Sequence, residues 1–371
     1  MRDNTRFVGL DVSRRSIAVA VAPAEGEPYF LRAIPHLPDA VESLITELQR
    51  DGKSIVCCYE AGPTGLGLQR QLTHLGVACL LVAPSLIPRA PGDHVKTDRK
   101  DALKLARMLR AGDLVAAYVP TPDDEELRDL CRAREAAQFN ATRSKNVLAK
   151  LLMRWAIEAP PDSPNRWTIR YWRWLRSLRL PSQLRMVVLT EAILALEQAQ
   201  ERVRRLEQEL TPAVARSPHA PVIEALQGLH GFGLITAASI IAELGDLRRF
   251  HSPRQLMGYT GLGVRESSSG TRRRRGSITR AGNAHLRHYL VEAAWHYRHP
   301  ARTSPALASR RDHLSPALRL ITEHAHLRLS KRFHRLSYKK PTPVVAVAVA
   351  RELAGFLWAI AHACYDETQA A

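Results

Sequence analysis

The order of apolar segments in the first 110 residues constrains the fold most. Residues 6–22 read FVGLDV, SRRS and IAVAVAP, two β-rich runs around a short polar turn, and they predict a β-hairpin. A third strand is predicted from Tyr29 to Ile34 and an amphipathic helix from Asp39 to Gln49. The nearly all-apolar run from Ser54 to Tyr59 is typical of a central strand covered on both sides.

A second helix is predicted from Leu66 to His74, a further buried strand from Val77 to Ala83, and a last helix within residues 94–109, HVKTDRKDALKLARML. The order hairpin, strand, helix, strand, helix, strand, helix is that of an RNase H-like fold. The sequence therefore predicts an α/β domain of this kind over residues 1–119.

Four acids lie at the ends of these elements. Asp11 closes the first strand, Glu60 closes the fourth, and Asp98 and Asp101 open the last helix three residues apart, on nearly one face. The alternative for the last two is structural: Asp98 caps the helix and Asp101 occupies the third position, as in a capping box. Converging carboxylates raise one another's pKa unless a cation compensates them. The set therefore predicts one or two Mg²⁺ (or Mn²⁺) ions, and a pair ~4 Å apart would serve phosphodiester chemistry.

Composition points to a polyanionic partner. Lys and Arg number 54 against 36 acids, for a formal charge of +18, and such an excess favours nucleic acid. No run reaches the ~18 apolar residues of a membrane span, and the start MRDNTR lacks a signal core, so a cytoplasmic protein without a membrane partner is expected. The five cysteines show no CxxC spacing and predict reduced core thiols.

A Pro-rich stretch at residue 120 marks a boundary, and residues 120–220 are predicted to form a helical, coiled-coil region. Three tryptophans alternate with arginines near residue 170, and they either pack a small core or stack on bases. An a/d pattern follows at Leu189, Ile193, Leu196, Val203, Leu206 and Leu210. It predicts an antiparallel pair with the preceding helix or a coiled-coil dimer contact.

Residues 221–371 are predicted to form a mainly helical third region. The segment LQGLHGFGLITAASIIAEL reads as helix, glycine turn, helix, in which Gly231 and Gly233 give backbone N–H groups access to a phosphate. This pattern is typical of a helix-hairpin-helix, and a plain αα-turn is the alternative.

A serine- and arginine-rich segment follows. Three serines end at Ser269, Arg272, Arg273, Arg274 and Arg275 come after them, and an apolar helix is predicted from Leu286 to Trp295. We expect a flexible, basic, hydroxyl-bearing loop. Candidate nucleic-acid contacts over the whole chain are Lys96, Arg99, Gly231, Gly233, Arg272, Arg273, Arg274, Arg275, Arg280 and Asn283.

The blocks FVGLDVS, CYEAGPTG and KTDRKDALKLARML resemble the DEDD domain of IS110-family transposases. The blocks LQGLHGFGLITAASIIAELGD, YTGLGVRESSSG and GSITRAGNAHLRHYLVEAAW resemble the C-terminal domain of the same family. The resemblance spans about residues 6–300. It implies that Asp11, Glu60, Asp98 and Asp101 form a RuvC-like metal-binding set and that Ser269 is the nucleophile, with Ser268 as an alternative in register.

The resemblance also implies a reaction and its partners. Serine would attack a DNA phosphodiester, form a phosphoserine intermediate and pass the strand to a second DNA. Many members are guided by a structured non-coding RNA, so donor DNA, target DNA and a guide RNA are expected partners. A homo-oligomer (dimer or tetramer) is also expected, with acids and serine meeting within one chain or across protomers. Two alternatives remain: a RuvC-like nuclease that uses water, and a non-catalytic nucleic-acid-binding protein.

Overall fold

A computed structural model of the chain describes residues 4–84, 87, 97–160, 167–269 and 272–370. The chain divides into two compact units, Met1–Val119 and Pro120–Ala371. Each unit has its own hydrophobic core.

The first unit is built on a five-stranded mixed sheet. Its strands are β1 (Thr5–Val12), β2 (Ser16–Ala22), β3 (Tyr29–Pro35), β4 (Ser54–Glu60) and β5 (Ala78–Val82). The spatial order is β3-β2-β1-β4-β5, with β2 antiparallel to both of its neighbours and β1, β4 and β5 mutually parallel. The predicted hairpin and the predicted α/β character of this region are confirmed.

Three helices cover the sheet: α1 (Pro38–Gln49), α2 (Gly67–His74) and α3 (Asp98–Ala111). Val8 and Leu10 of β1 share a core cluster with buried residues of α1 and α2. Alanines of β2 pack instead with Ala102 and Ala106 of α3. Because side chains alternate along a strand, α1 and α2 lie on one face of the sheet and α3 lies on the other.

Gly9 sets the distance between β1 and α3. A Cβ atom added at Gly9 would lie 2.3 Å from the carbonyl oxygen of Ala102 and 2.4 Å from the amide nitrogen of Ala106. Only a glycine fits this position, because the helix backbone rests directly on the strand. The small side chains of β2 extend the same flat surface beside it.

The second unit begins with three helices: α4 (Pro122–Arg154), α5 (Ile169–Ser177) and α6 (Gln183–Arg216). Leu127 of α4 shares a core cluster with Leu210 of α6, whereas Leu148 of α4 shares one with Leu189. This pairing makes α4 and α6 antiparallel, so the a/d pattern is used within the chain. Trp167, Trp172 and Trp174 are partly buried and pack against the cluster around Leu148, so the aromatic residues contribute to this small core.

In the described residues, the rest of the unit contains helices, one β-ribbon and two short 3₁₀ turns at Leu247–Arg249 and His296–Arg298. Its elements are α7 (Ala220–Leu226), α8 (Leu234–Leu244), α9 (Pro253–Tyr259), β6 (Val264–Ser269), β7 (Arg272–Ile278), α10 (Ala284–Trp295), α11 (Pro305–Asp312), α12 (Pro316–Ser337) and α13 (Thr342–Ala370). Helix α13 is long and apolar enough to cross a membrane by length and composition. It supplies many buried side chains to the unit's largest core cluster, as the core helix of a globular unit does.

Candidate active site

Asp11 and Glu60 lie side by side at the C-terminal ends of β1 and β4, two adjacent inner strands of the first unit's sheet. Strands β1 and β4 pair in parallel with Gly9 opposite Cys58 and Leu10 opposite Tyr59, so the next positions are Asp11 and Glu60. Gly9 contacts α3, and the Cys58 thiol donates to the Leu105 carbonyl of α3 at 3.6 Å. By strand alternation, both acids therefore project from the face that α3 covers.

The first turn of α3 carries the other two acids. The N-cap is Thr97, whose hydroxyl accepts a hydrogen bond from the Lys100 amide at 3.3 Å. The interpretation of Asp98 as the cap, with Asp101 at the third position, is therefore wrong by one residue. Asp98 is exposed, while Asp101 is partly buried and one of its carboxylate oxygens is enclosed.

The four acids are candidate ligands for a divalent cation. Within the described ranges, no group of three or more His, Cys, Asp or Glu side chains is close enough to hold a metal ion. The donor chemistry nevertheless fits Mg²⁺, since all four are carboxylates and hard cations prefer oxygen. All four also belong to elements that meet on one face of the sheet.

Ser269 ends the first strand of an exposed two-stranded ribbon, not a flexible loop as predicted. Strand β6 pairs antiparallel with β7, with Ser269 opposite Arg272, Ser268 opposite Arg273 and Ser267 opposite Arg274. Every residue of β6 is exposed. Successive side chains alternate, so the hydroxyls of Ser268 and Ser269 point to opposite faces of the ribbon.

The base of the ribbon is fixed by hydrogen bonds. The Thr279 amide donates to the Gly263 carbonyl at 2.7 Å, and the Thr279 hydroxyl donates to the Gly261 carbonyl at 3.2 Å. The Arg280 amide donates to the Gly261 carbonyl at 3.0 Å. These contacts hold the end of β7 against the turn that precedes β6.

A buried carboxylate joins this base to the helices. Glu243 of α8 is only 7% exposed. It accepts hydrogen bonds from Arg132 Nε at 2.7 Å and Nη2 at 3.0 Å, and another from the side-chain amide (Nδ2) of Asn283 at 2.5 Å. Burial acts to raise the pKa of Glu243, but the hydrogen bonds from Arg132 and Asn283 outweigh it and lower the pKa overall.

Asn283 also caps α10, because its side-chain oxygen accepts from the Leu286 amide at 3.0 Å. Next to it, His285 Nδ1 lies 2.5 Å from a carboxylate oxygen of Glu135. Asn283 was predicted to contact nucleic acid, and its network with Arg132 and Glu243 was not predicted. One signal was available: Glu243 is the single acid in the apolar helix LITAASIIAEL.

The two glycines of the turn between α7 and α8 differ in their surroundings. Gly231 has φ +84°, and a Cβ there would lie 2.7 Å from the Ala293 carbonyl oxygen. Gly233 is the residue before α8, and an added Cβ would meet no atom within 4 Å. Packing against α10 thus accounts for glycine at 231, while the surroundings of Gly233 are open.

The remaining predicted nucleic-acid contacts are placed unevenly. Arg99 is exposed and lies over the Phe30 ring, with its guanidinium carbon 5.4 Å from the ring centroid. Arg274 and Arg280 are exposed. Lys96 lies outside the described residues, and of Arg272, Arg273 and Arg275 only the backbone is described.

Two family models match this chain, one near its N-terminus and one in its second half. The family described as transposase, IS116/IS110/IS902 family, matches residues 223–307. A second family model, for the DEDD domain of IS110 transposases, matches residues 8–156.

Whole-chain relatives extend the match. The putative transposase y4qE of Sinorhizobium fredii is 42% identical over 366 residues, covering 98% of this chain and 90% of the relative. The transposase for insertion sequence element IS1533 of Leptospira borgpetersenii is 28% identical over 337 residues, covering 90% and 97%. A probable family 20 transposase of Pseudomonas aeruginosa is 26% identical over 300 residues, covering 80% and 81%. The chain belongs to the IS110 family of transposases, enzymes that act on DNA.

Proposed function

We propose that this transposase moves an insertion sequence by serine attack on DNA, with Ser269 as nucleophile and Asp11, Glu60, Asp98 and Asp101 as the metal-binding set. The observation that carries the proposal is the pairing of β1 with β4, which sets two of the acids beside each other on the face occupied by α3. The other two acids open that same helix.

A RuvC-like, RNase H-like fold for the first unit is part of the proposal. The sheet order β3-β2-β1-β4-β5, with only β2 antiparallel to its neighbours, supports it. In this arrangement the acid-bearing ends of β1 and β4 are adjacent at the centre of the sheet. Because β1 and β4 are parallel, their C-terminal ends lie next to each other.

The four acids would hold Mg²⁺ or Mn²⁺. Like-charged carboxylates repel one another. This agrees with the finding that, among the described residues, no three of these side chains are close enough to hold a metal ion. A shared cation would draw them together. When bound, the ion supplies stabilisation for the charge that develops on the phosphate oxygens and on the departing oxygen. The positively charged surface attracts DNA. The four carboxylates attract cations and repel phosphate, so this part of the first unit binds a metal ion and not the DNA backbone.

Ser269 carries the covalent step. Its Oγ forms a bond to phosphorus as one bond from phosphorus to a deoxyribose oxygen breaks, and the serine proton ends on the departing sugar oxygen. The reverse step, with a hydroxyl of the second DNA as attacking group, releases the serine. The number of phosphoester bonds is conserved, so no ATP is required, and the sequence contains no GxxxxGK[ST] loop.

The ribbon suits a nucleophile that must reach DNA. Ser269 is exposed, and the strand that pairs with it consists of consecutive arginines followed by glycine. Arginine forms forked contacts with phosphate oxygens. We assign Arg272, Arg273, Arg274, Arg275 and Arg280 to the phosphates that flank the reacting one.

Further contacts belong to the same proposal. The α7–α8 turn would act as a helix-hairpin-helix, with the open Gly233 at the N-terminus of α8 facing the DNA backbone. Lys96 and Arg99 would contact DNA beside the acids. The formal charge of +18 supports a large polyanionic assembly, and we include a structured guide RNA and a homo-oligomer in it.

The decisive experiment traps the intermediate. Nicked DNA spanning the ends of the element is incubated with the protein, Mg²⁺ and RNA transcribed from the element's flank, and covalent protein–DNA is resolved on denaturing gels. We expect Ser269→Ala to abolish the adduct, because the substitution removes the oxygen that would bond to phosphorus. Asp11→Asn is expected to abolish the adduct while DNA binding persists.

Two neighbouring serines provide matched controls. Ser268→Ala changes the opposite face of the ribbon, and Ser267→Ala changes the same face two residues earlier, so both should retain the adduct. An adduct that survives in Ser269→Ala but disappears in Ser268→Ala would move the nucleophile by one residue. Cleavage without any covalent species, unaffected by Ser269→Ala, would favour a nuclease that uses water.

A further inference from the structure

The second unit contains a cavity that the proposed reaction does not use. It lies between α5 and α6 and has a volume of about 780 Å³, within the ~300–1,000 Å³ range of small-ligand sites. Trp172, Arg173 and Arg176 of α5 line one side, and Glu197, Arg204 and Arg205 of α6 are among the residues of the other.

One wall of the cavity is a preformed aromatic–guanidinium stack. The guanidinium carbon of Arg176 lies 5.4 Å from the centroid of the Trp172 ring. Glu197 holds this guanidinium in place, accepting from Nη2 at 2.6 Å and from Nε at 3.2 Å. A fixed flat surface of this kind is what an unpaired base stacks on.

The rest of the lining supplies uncompensated positive charge. The cavity is lined by four arginines against two glutamates. Arg176 and Arg204 are paired with Glu197 and Glu201, whereas Arg173 and Arg205 are exposed and form no ion pair with any described acid. The stacking surface matches the base of one nucleotide, and the guanidinium groups of Arg173 and Arg205 match its phosphates.

We propose that this cavity, the α5–α6 pocket, binds an unpaired nucleotide of single-stranded nucleic acid. The base stacks against the Trp172–Arg176 wall, and Arg173 and Arg205 contact the adjoining phosphates. Double-stranded nucleic acid does not fit this role, because its bases are already stacked on one another. The inference is independent of the serine chemistry and assigns a function to the tryptophan- and arginine-rich segment that the proposed reaction leaves unused.

The test is an equilibrium binding measurement without metal. Fluorescein-labelled dT₁₂, rU₁₂ and a 12-base-pair duplex are titrated with full-length protein carrying Ser269→Ala, in EDTA, and anisotropy is recorded. Chemistry is therefore silent, and failure of the serine mechanism would not affect the result. We expect Trp172→Ala and the double variant Arg173→Ala/Arg205→Ala each to weaken single-strand binding by ~10-fold, with duplex binding little changed.

The controls separate the pocket from general charge. Arg202→Ala/Arg216→Ala removes two exposed arginines of α6 that do not line the cavity. This variant should therefore weaken the binding of single strands and of the duplex slightly and to the same extent. Trp172→Phe keeps a ring and should retain most of the binding, and melting temperatures identify any variant that fails to fold. Equal losses in the pocket and control pairs, or equal losses for single strands and duplex, would overturn the proposal.

Discussion

The two units differ in where they place polar groups. None of the described polar or charged residues of the first unit is buried, and its four candidate acids lie at the ends of two strands and in the first turn of α3. The second unit buries polar and charged side chains in its interior, among them Asp124, Glu243, Arg311 and His326. Its candidate nucleophile is on a ribbon exposed along its whole first strand.

The difference indicates two ways of positioning a reactive group. In the first unit, close apolar packing of α3 on the sheet sets where the four candidate acids lie, and no described polar group of this unit is buried with them. In the second unit, hydrogen bonds of buried charges fix the base of the ribbon, and the serine extends beyond them. A buried charge is costly unless it is paired, so these pairs also select one arrangement of the helices.

The largest expected effect comes from the same substitution made in both units. Gly9→Ala places a methyl group 2.3 Å from the Ala102 carbonyl oxygen, so α3 must move away from β1. We expect a loss of about 3 kcal/mol or more in the free energy of unfolding, together with loss of the covalent adduct. Gly276→Ala, in β7, meets Arg265 at an ordinary 3.6 Å and should change stability by less than ~0.5 kcal/mol.

Urea denaturation followed by circular dichroism measures both variants. Gly67→Ala in the first unit is a further control, because no atom lies within 4 Å of the added methyl group. If Gly9→Ala proved as stable as Gly67→Ala, the close contact between β1 and α3 would not be what positions the acids.

The next largest effect is expected at the buried acid of the second unit. Glu243→Gln keeps the shape of the side chain but removes the charge that pairs with Arg132, and we expect roughly 1.5–3 kcal/mol of destabilisation at neutral pH. The pKa of Glu243 is lowered on folding, so its contribution is present above its ordinary value of 4.5 and is lost as the pH falls through the folded pKa. The variant and the parent protein should therefore converge in acid.

Glu197→Gln is the matched control. Glu197 pairs with Arg176 at the surface, where ion pairs contribute little, so a much smaller change is expected. A difference between Glu243→Gln and the parent protein that stays constant from pH 7 to pH 3 would show that the charge of Glu243 is not what stabilises the unit.

The sequence predicts those features of the structure that depend on a pattern within one element, and it does not predict those that depend on contacts between elements. The sheet of the first unit followed from alternation and apolar runs, so Asp11 and Glu60 were predicted at strand ends before their pairing was known. The cap was misplaced because Thr97 and Asp98 are both good capping residues and only the backbone distinguishes them. The choice between an intramolecular pair and a dimer contact for α6 required knowledge of what faces Leu189 and Leu210, which no local pattern contains.

The ribbon was missed for a different physical reason. Strand signals depend on apolar alternation and β-branched residues. The segment from Arg265 to Ser277 has no apolar residue and a single β-branched one, Thr271, and β6 is exposed along its whole length. Its pairing is instead anchored at the base, by the contacts of Thr279 and by the network around Glu243. A segment held by distant polar contacts cannot be recognised from its own composition.

The smallest effect at neutral pH, and one confined to acid, is expected for a histidine behind the glycine turn of the second unit. His326 is 2% exposed and stacks on His230, with ring centroids 4.5 Å apart. Burial, with the nearby His230 and Arg311, lowers the pKa of His326 from 6.5 to about 4. Between these values the unfolded chain binds a proton that the native protein excludes, so stability falls as the pH drops from 6.5 towards 4.

His326→Phe keeps a ring that can stack on His230 and removes this titration. We expect it to unfold near the parent midpoint at pH 7.5 and to lose less stability than the parent protein between pH 6.5 and 4, as measured by urea midpoints at each pH. His324→Phe, at an exposed position of the same helix, controls for loss of a histidine. If His326→Phe followed the parent curve throughout, the buried histidine would not contribute to the acid sensitivity of the second unit, and Glu243 would be left as the buried group expected to cause it.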